Sequence, residues 1–503
     1  MNQSDLKNIK VYLNPKNISL PVKQKLLEYI ILFIVSTTHL LLFSLWTSPF
    51  YKYWYGCDAS FFTLVGRGIT EGKVPYRDFF DLKGPYFFFV EAIGQLMAHA
   101  RLGAFLIQVP FAFFSLVLLY EICRLFLSKR KSIPVLIVYL WGFITTLWGG
   151  NTVEEFALPF SFLCLYFVLK SVYKDHYKFN ELPIWQYLLL GLVFGFCLFS
   201  KISVAGPVLG ISASIGFYDL FKKKIKDFLV FILYFLLGLS VSALPLLLYF
   251  GTNDCLSDMI HCVFVLGFSR SMDYYEAFNI TWELKLSGCI FAFVFAILHK
   301  EKFLKEIGII IMAMSAATYL LLHLGTPYYY YFTSVYPSLC LALIMFIKVY
   351  EPIIIFENWK QSTCIALFAV YLFYYVPSGL DTVRTVLYNQ RDDFSSYHDA
   401  CNEMAFWIPA DERDSVMSFM IDMQWFEATG ITPCNRYVVN LPFFIELDPP
   451  ILNELLETFE DNPPKWLVIR DDFDSNLPAL VDTVYSNYDL IFENESGRLF
   501  LHK

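Results

Sequence analysis

Apolar runs long enough to cross a bilayer recur along the chain up to about residue 380, separated by short polar stretches, and there the pattern stops. A span needs about 20 mainly apolar residues, which predicts about eleven helices, near 29–47, 103–127, 133–150, 156–170, 184–200, 203–220, 228–250, 284–299, 307–324, 330–347 and 361–379. Two connections are too long to be simple turns: residues 48–102 and 251–283. Within the first, Tyr86 to Ala98 is apolar but short for a span, which predicts a helix lying along the interface. Beyond about Asp381 the pattern turns soluble. Short strand candidates (Ser415 to Met420, Trp466 to Ile469, Leu499 to Leu501) alternate with helix candidates (Leu452 to Phe459, Leu477 to Tyr488), and Pro-Pro pairs at 449–450 and 463–464 bracket one helix.

The expected fold is therefore mainly α, a polytopic transmembrane helical bundle with a small C-terminal α/β extracytoplasmic domain. Its expected parts are a cytoplasmic segment 1–28, a transmembrane domain 29–380 with a first outer loop 48–102, and a soluble domain 381–503. Inner connections hold about 21 Lys and Arg, including Arg124, Lys129, Arg130 and Lys131, against about nine in the outer loops before the C-terminal region. That bias predicts a plasma (inner) membrane protein with its N-terminus in the cytoplasm, and an odd span count puts the C-terminus outside. The first apolar run follows a lysine-bearing segment and lacks a small-residue cleavage site, so it reads as a retained helix.

Composition agrees. Of 503 residues, 57% are hydrophobic and 19% aromatic, only 17% are charged, and the mean hydropathy is +0.50. The net charge of −8 argues against nucleic acid as a partner. The 11 cysteines form no CxxC pair and no zinc-spaced cluster with histidine. Cys401 and Cys434 both fall in the C-terminal region, where an oxidising compartment would permit pairing.

Candidate chemistry concentrates where charge meets apolar sequence, because a charged group beside lipid costs at least a few kcal/mol unless it is paired, hydrated or bound to substrate. Asp58 follows the first span by about ten residues, at head-group depth, where a carboxylate can take a proton from an acceptor hydroxyl; a helix N-cap is the competing role. Asp78, Asp81 and Lys83 lie close to Arg77, so mutual ion pairs compete with function for them. Lys83, before Gly84-Pro85 at the mouth of an apolar segment, is placed to neutralise a lipid-attached phosphate. Arg67 in Gly66-Arg67-Gly68 is a second cation candidate. Glu154 and Glu155 open the fourth expected span, where either could join Asp58 around a hydroxyl or a divalent cation, or simply favour the helix dipole. Asp58 and Glu155 are the two candidate metal ligands. Lys201 is a further phosphate contact or a snorkelling side chain. Tyr328, Tyr329 and Tyr330 belong to a run after His323 that fits an aromatic belt or a glycan-lining loop. His261 and the Tyr274-Tyr275 pair invite the same reading, and Asp471-Asp472 reads as a strand-end turn.

Two stretches together resemble a known family. They are Asp58, Gly66-Arg67-Gly68 and Gly72-Lys73-Val74-Pro75-Tyr76-Arg77-Asp78-Phe79-Phe80-Asp81-Leu82-Lys83-Gly84-Pro85, with Asn151-Thr152-Val153-Glu154-Glu155-Phe156-Ala157-Leu158-Pro159 downstream. The pattern resembles bacterial GT-C glycosyltransferases, the relatives of protein O-mannosyltransferases and lipid A aminoarabinose transferases. As architecture the resemblance covers about the first 350 residues. It implies a membrane enzyme that moves a hexosyl or pentosyl group from a polyprenyl-phosphate carrier to an extracytoplasmic acceptor: a cell-envelope glycan, a lipid or a protein. It further implies Asp58 as the base or acceptor-orienting acid, Lys83 as the carrier-phosphate lysine and Glu154 or Glu155 as the second-loop acid. Two positions depart from the family: its histidine near the tenth span is replaced within Tyr328 to Tyr331, and the paired Asp-Glu of some relatives is Asp58-Ala59. The alternatives are a polymerase or ligase of lipid-linked glycans, and a transporter or flippase, which would place charge near the midplane within broken helices.

Overall fold

The computed structural model describes residues 20–147, 149–179, 181–268, 302–322, 328–350, 380, 383, 394–439, 441–470 and 472–503. Seven of its helical stretches are long and apolar enough to cross a membrane: Val22–Phe43, Ala100–Phe126, Val153–Tyr173, Ile202–Phe221, Ile225–Thr252, Leu304–Leu322 and Tyr330–Val349. Two more expected spans fall on the helices Lys129–Thr146, which opens on three basic residues, and Ile184–Leu198, which has only 15 residues. The spans expected at 284–299 and 361–379 lie outside the described residues.

Burial ranks these helices by depth in the bundle. The most apolar window of Tyr330–Val349 is 78% buried within the protein, against 22% for Ile225–Thr252. The former is thus central, and the latter turns Leu229, Leu233, Leu236 and Leu244 outward, as a lipid-facing helix should. Close contact with Ile184–Leu198 needs small residues: a Cβ on Gly238 would lie 2.1 Å from the Leu188 carbonyl oxygen. Pro110, Pro159 and Pro245 sit inside long helices, tolerated because neighbouring helices shield the freed carbonyls.

The segment 48–102, expected as the first outer loop, is largely helical rather than an open loop. Gly56 caps a helix at Cys57–Thr70, and Gly84 with Pro85 at the first helical position starts a second at Pro85–Met97. The two pack face to face through Phe61, Phe62, Phe87 and Phe88, each about 1% exposed. Ile93, Leu96 and Met97 remain exposed on the second helix.

The C-terminal region forms a four-stranded sheet in the order β1-β2-β4-β3, from β1 (Val416–Phe419), β2 (Trp466–Ile469), β3 (Tyr488–Asn494) and β4 (Gly497–His502). β1 and β2 are parallel and wholly buried, as continuous apolar runs require; β4 is antiparallel to both β2 and β3. Helices Pro450–Asp461 and Pro478–Asn487 match their expected positions. β3 was not expected, because residues up to Tyr488 read as helix and a register shift between Leu490 and Phe492 interrupts its alternation. Cys401 and Cys434 are both free thiols.

Candidate active site

Asp58 sits in the first turn of the Cys57–Thr70 helix, where the dipole favours a carboxylate; the cap itself is Gly56, so Asp58 is released from capping. Its Oδ1 lies 3.8 Å from Lys83 Nζ, and its Oδ2 accepts a hydrogen bond from the Tyr330 hydroxyl at 3.0 Å. The side chain of Asp58 is 39% exposed and that of Lys83 20%, so the pair is reachable from outside.

Lys83 is held by its neighbours from several directions. Asp81 is buried and accepts from the backbone N–H of Leu82 at 2.6 Å and of Lys83 at 3.3 Å, while its Oδ2 lies 3.4 Å from Lys83 Nζ. Tyr76 is fully buried at φ 69, a left-handed conformation unfavourable for a bulky residue, and its hydroxyl donates to the Lys83 carbonyl at 2.7 Å. The next residue, Gly84, donates its N–H to the Ser200 carbonyl at 2.8 Å, at a separation that leaves no room for a Cβ, which would sit 2.1 Å from the Phe199 oxygen. Lys83 Nζ also rides 4.9 Å above the Phe62 ring.

That backbone contact brings Lys201 to the same place. Its Nζ pairs with Glu154 Oε1 at 2.6 Å and lies 3.4 Å from the centroid of the Tyr331 ring and 5.2 Å from that of Tyr330. Glu154 is fully buried, and its other oxygen has no hydrogen-bond partner among the described residues. A continuous chain of contacts therefore runs from Asp81 through Lys83, Asp58, Tyr330 and Lys201 to Glu154, drawn from five separate stretches of sequence. Tyr328 is exposed and stacks on Tyr330 at 5.8 Å. Tyr329 begins the 3-10 turn, with its side chain outside the described set.

Other sequence candidates are engaged elsewhere. Glu155 accepts from Gln108 Nε2 at 2.7 Å and from the Asn151 N–H at 3.1 Å, and Gln108 in turn accepts from Thr47 at 2.7 Å, a latch between the first and fourth expected spans. The two candidate metal ligands, Asp58 and Glu155, thus belong to different networks. Among the described residues no group of three or more His, Cys, Asp or Glu side chains is arranged to hold a metal ion. Asp78 accepts from the Val74 N–H at 2.6 Å and pairs with Arg77 at 2.9 Å, closing the surface turn before the cluster. Arg67 points into the C-terminal region, donating to the carbonyls of Ile431 at 2.7 Å and Phe426 at 3.2 Å and to Thr432 Oγ1 at 3.2 Å. His261 meets Asp448 at 3.1 Å. Tyr274, Tyr275, His323 and Asp471 lie outside the described residues.

Several buried charges escaped the sequence reading. Glu427 accepts from Ser60 Oγ at 2.7 Å; burial pushes its carboxyl up to about 7, against the pull of Arg101, Ser60 and Arg67. Burial likewise pushes Glu91 to about 8, with Asn151 opposing and Glu427 and Glu155 reinforcing. Arg101 donates to the carbonyls of Leu45 and Trp46, both at 2.9 Å, at the end of the first span. An arginine just before an apolar helix was a visible signal; Glu427 had none.

No family model and no curated protein sequence matches the chain. Solved structures do. ArnT from Cupriavidus metallidurans bound to undecaprenyl phosphate superposes with a TM-score of 0.60 at 12% identity, over 94% of this chain and 98% of that one. The apo form of the same protein gives 0.56 at 12% identity over 95% and 98%. The apo oligosaccharyltransferase of Archaeoglobus fulgidus gives 0.52 at 12% identity over 94% and 74%. The chain therefore shares its fold with these proteins along nearly its whole length.

Proposed function

We propose that this protein is a membrane glycosyltransferase that moves a sugar from a polyprenyl-phosphate carrier to an acceptor at the outer membrane surface. The observation that carries the reading is the Asp58, Lys83 and Tyr330 cluster, a carboxylate, an ammonium and a phenol brought together from distant sequence positions. Support comes from the fold shared with ArnT, which binds undecaprenyl phosphate in one of the solved structures.

The chemistry follows from the atoms. Tyr330 donates to Asp58 Oδ2 and orients the carboxylate, which takes the proton of the acceptor hydroxyl. The deprotonating oxygen attacks the anomeric carbon, the bond from that carbon to the carrier phosphate breaks, and the phosphate leaves with the bonding pair. Negative charge grows on the leaving phosphate, and a fixed cation there is worth most in a partly desolvated site. Lys83 supplies it. At 3.8 Å its ammonium is a loose partner for Asp58, so an arriving phosphate takes Lys83 over and frees the carboxylate to act as base. Lys201 is bound more tightly to Glu154 and serves as the positive backing of Tyr330 and Tyr331. No step is routed through a metal.

The test is transfer of labelled sugar from polyprenyl phosphate in membranes carrying the intact protein, Asp58→Asn or Lys83→Ala. We expect the first variant to lose about a hundredfold or more in turnover and the second to raise the carrier KM. Unaltered transfer in both would remove the mechanism, and extension of lipid-linked chains in place of single-sugar transfer would favour a polymerase.

A further inference from the structure

The helix that carries Asp58 is gripped from behind. Asp58 and Ser60 are two residues apart and so point about 200° from each other around the helix, while Ser60 and Arg67 are seven apart and share a face to within about 20°. The Asp58 face looks at Lys83 and Tyr330. The opposite face is held at both ends by one short stretch of the C-terminal region: Ser60 by Glu427 at 2.7 Å, and Arg67 by Phe426, Thr432 and Ile431, the closest at 2.7 Å.

Glu427 sits where three segments meet. Arg67 on the Asp58 helix and Arg101, tied to the end of the first span, both act on its carboxylate, and its charge in turn disfavours ionisation of Glu91 and Tyr55. Its Oε2 takes the Ser60 hydroxyl, and its Oε1 is buried without a hydrogen-bond partner among the described residues. A carboxylate in such a place is poor design for stability alone, since an apolar side chain would avoid the desolvation. Its geometry is better matched to fixing one helix against another.

We infer that Glu427 is a positioning residue, which through Ser60 sets the orientation of the Asp58 helix and hence the alignment of Asp58 with Lys83. The inference rests on the glycosyltransferase reading for its consequence but not for its geometry. The C-terminal region is then part of the catalytic scaffold, whatever else it recognises.

The experiment compares the full-length protein with Glu427→Ala and Glu427→Gln, the latter keeping an oxygen for Ser60. Amide hydrogen exchange across residues 57–64 reads the clamp without any substrate. Glu427→Ala should speed exchange there by about tenfold or more while distant helices are unchanged, and Glu427→Gln should restore slow exchange. With sugar-transfer activity in hand, Glu427→Ala should lower kcat by about tenfold while the carrier KM stays within about twofold, because Lys83 is on another segment. Exchange that does not respond overturns the inference, as does faster exchange with an unaltered kcat. A wild-type protein inactive toward every polyprenyl-phosphate sugar, yet showing the exchange response, would sink the transferase reading and leave the clamp standing.

Discussion

Lys83 and Lys201 look interchangeable in sequence, yet their surroundings assign them different work. Lys83 is 3.8 Å and 3.4 Å from two carboxylates and partly exposed, whereas Lys201 closes on a fully buried Glu154 at 2.6 Å. Removing one partner of a buried pair typically costs about 3–5 kcal/mol, because the other charge is stranded. Lys201→Ala should therefore lower the thermal midpoint of the protein by several degrees, and Glu154→Gln added to it should recover part of the loss. Lys83→Ala leaves Asp81 its two backbone N–H donors, so it should lower the midpoint less than Lys201→Ala does, and it should raise the carrier KM. Glu91 gives a second contrast, in pH. Its folded carboxyl is near 8 and its ordinary value is 4.5. Between those values the unfolded chain sheds the proton that the folded chain keeps, so stability falls as pH rises through that window and levels off above about 8. Compared with wild type, Glu91→Gln should gain stability steadily from about pH 5 to about pH 8, by roughly 3 kcal/mol in all. Melting curves of the two proteins at matched pH check this, and parallel curves would show that Glu91 is charged inside the fold.

Segments of chain were legible to different degrees for reasons that are physical. The membrane helices could be read because hydropathy is local, and nine expected spans fall on described helices. The helix at Cys57–Thr70 was not anticipated as a whole, since Gly66 and Gly68 are poor helix formers; it packs on Pro85–Met97 through its aromatic face. β3 was hidden by its bulge and by its exposed face. Gly84 shows how a local signal turns into geometry: the sequence placed it at a helix start, and the structure adds that its missing side chain lets the Lys83 segment dock on the Ser200 backbone. Gly84→Ala must push these segments apart, which costs about 1–3 kcal/mol for overpacking and displaces Lys83 from Asp58. The expected outcome is a raised carrier KM with a modestly lower melting temperature. An unchanged KM would mean that Lys83 finds its place without the Ser200 contact.

Among the described residues, the C-terminal region packs on the segment 48–102. Asp58 and Lys83 were visible from sequence because charges beside apolar runs demand an explanation. Glu427 was not, because its partner Ser60 is 367 positions away and nothing local marks it. Arg67 was seen as a cation but assigned to substrate; three hydrogen bonds into the C-terminal region give it structural work instead. The seam these residues share has an apolar centre in Phe80, which is 2% exposed, lies against the rings of Tyr437 and Phe444, and donates its backbone N–H to the Arg436 carbonyl at 2.8 Å. Phe80→Ala keeps that backbone bond but empties the wedge, at a cost of about 3–5 kcal/mol. Much of that cost falls on the seam rather than on the membrane helices, whose contacts lie elsewhere. The C-terminal region should then open as a unit: limited proteolysis near residues 420–440 should accelerate by about tenfold or more, with the membrane portion left intact. Transfer should fall in step with opening, since Glu427 then lets go of Ser60, and Phe426, Ile431 and Thr432 let go of Arg67, on the Asp58 helix. If the region opened while transfer continued at the wild-type rate, the C-terminal region would be a passenger, and the membrane helices and the segment 48–102 would by themselves hold Asp58 in register with Lys83.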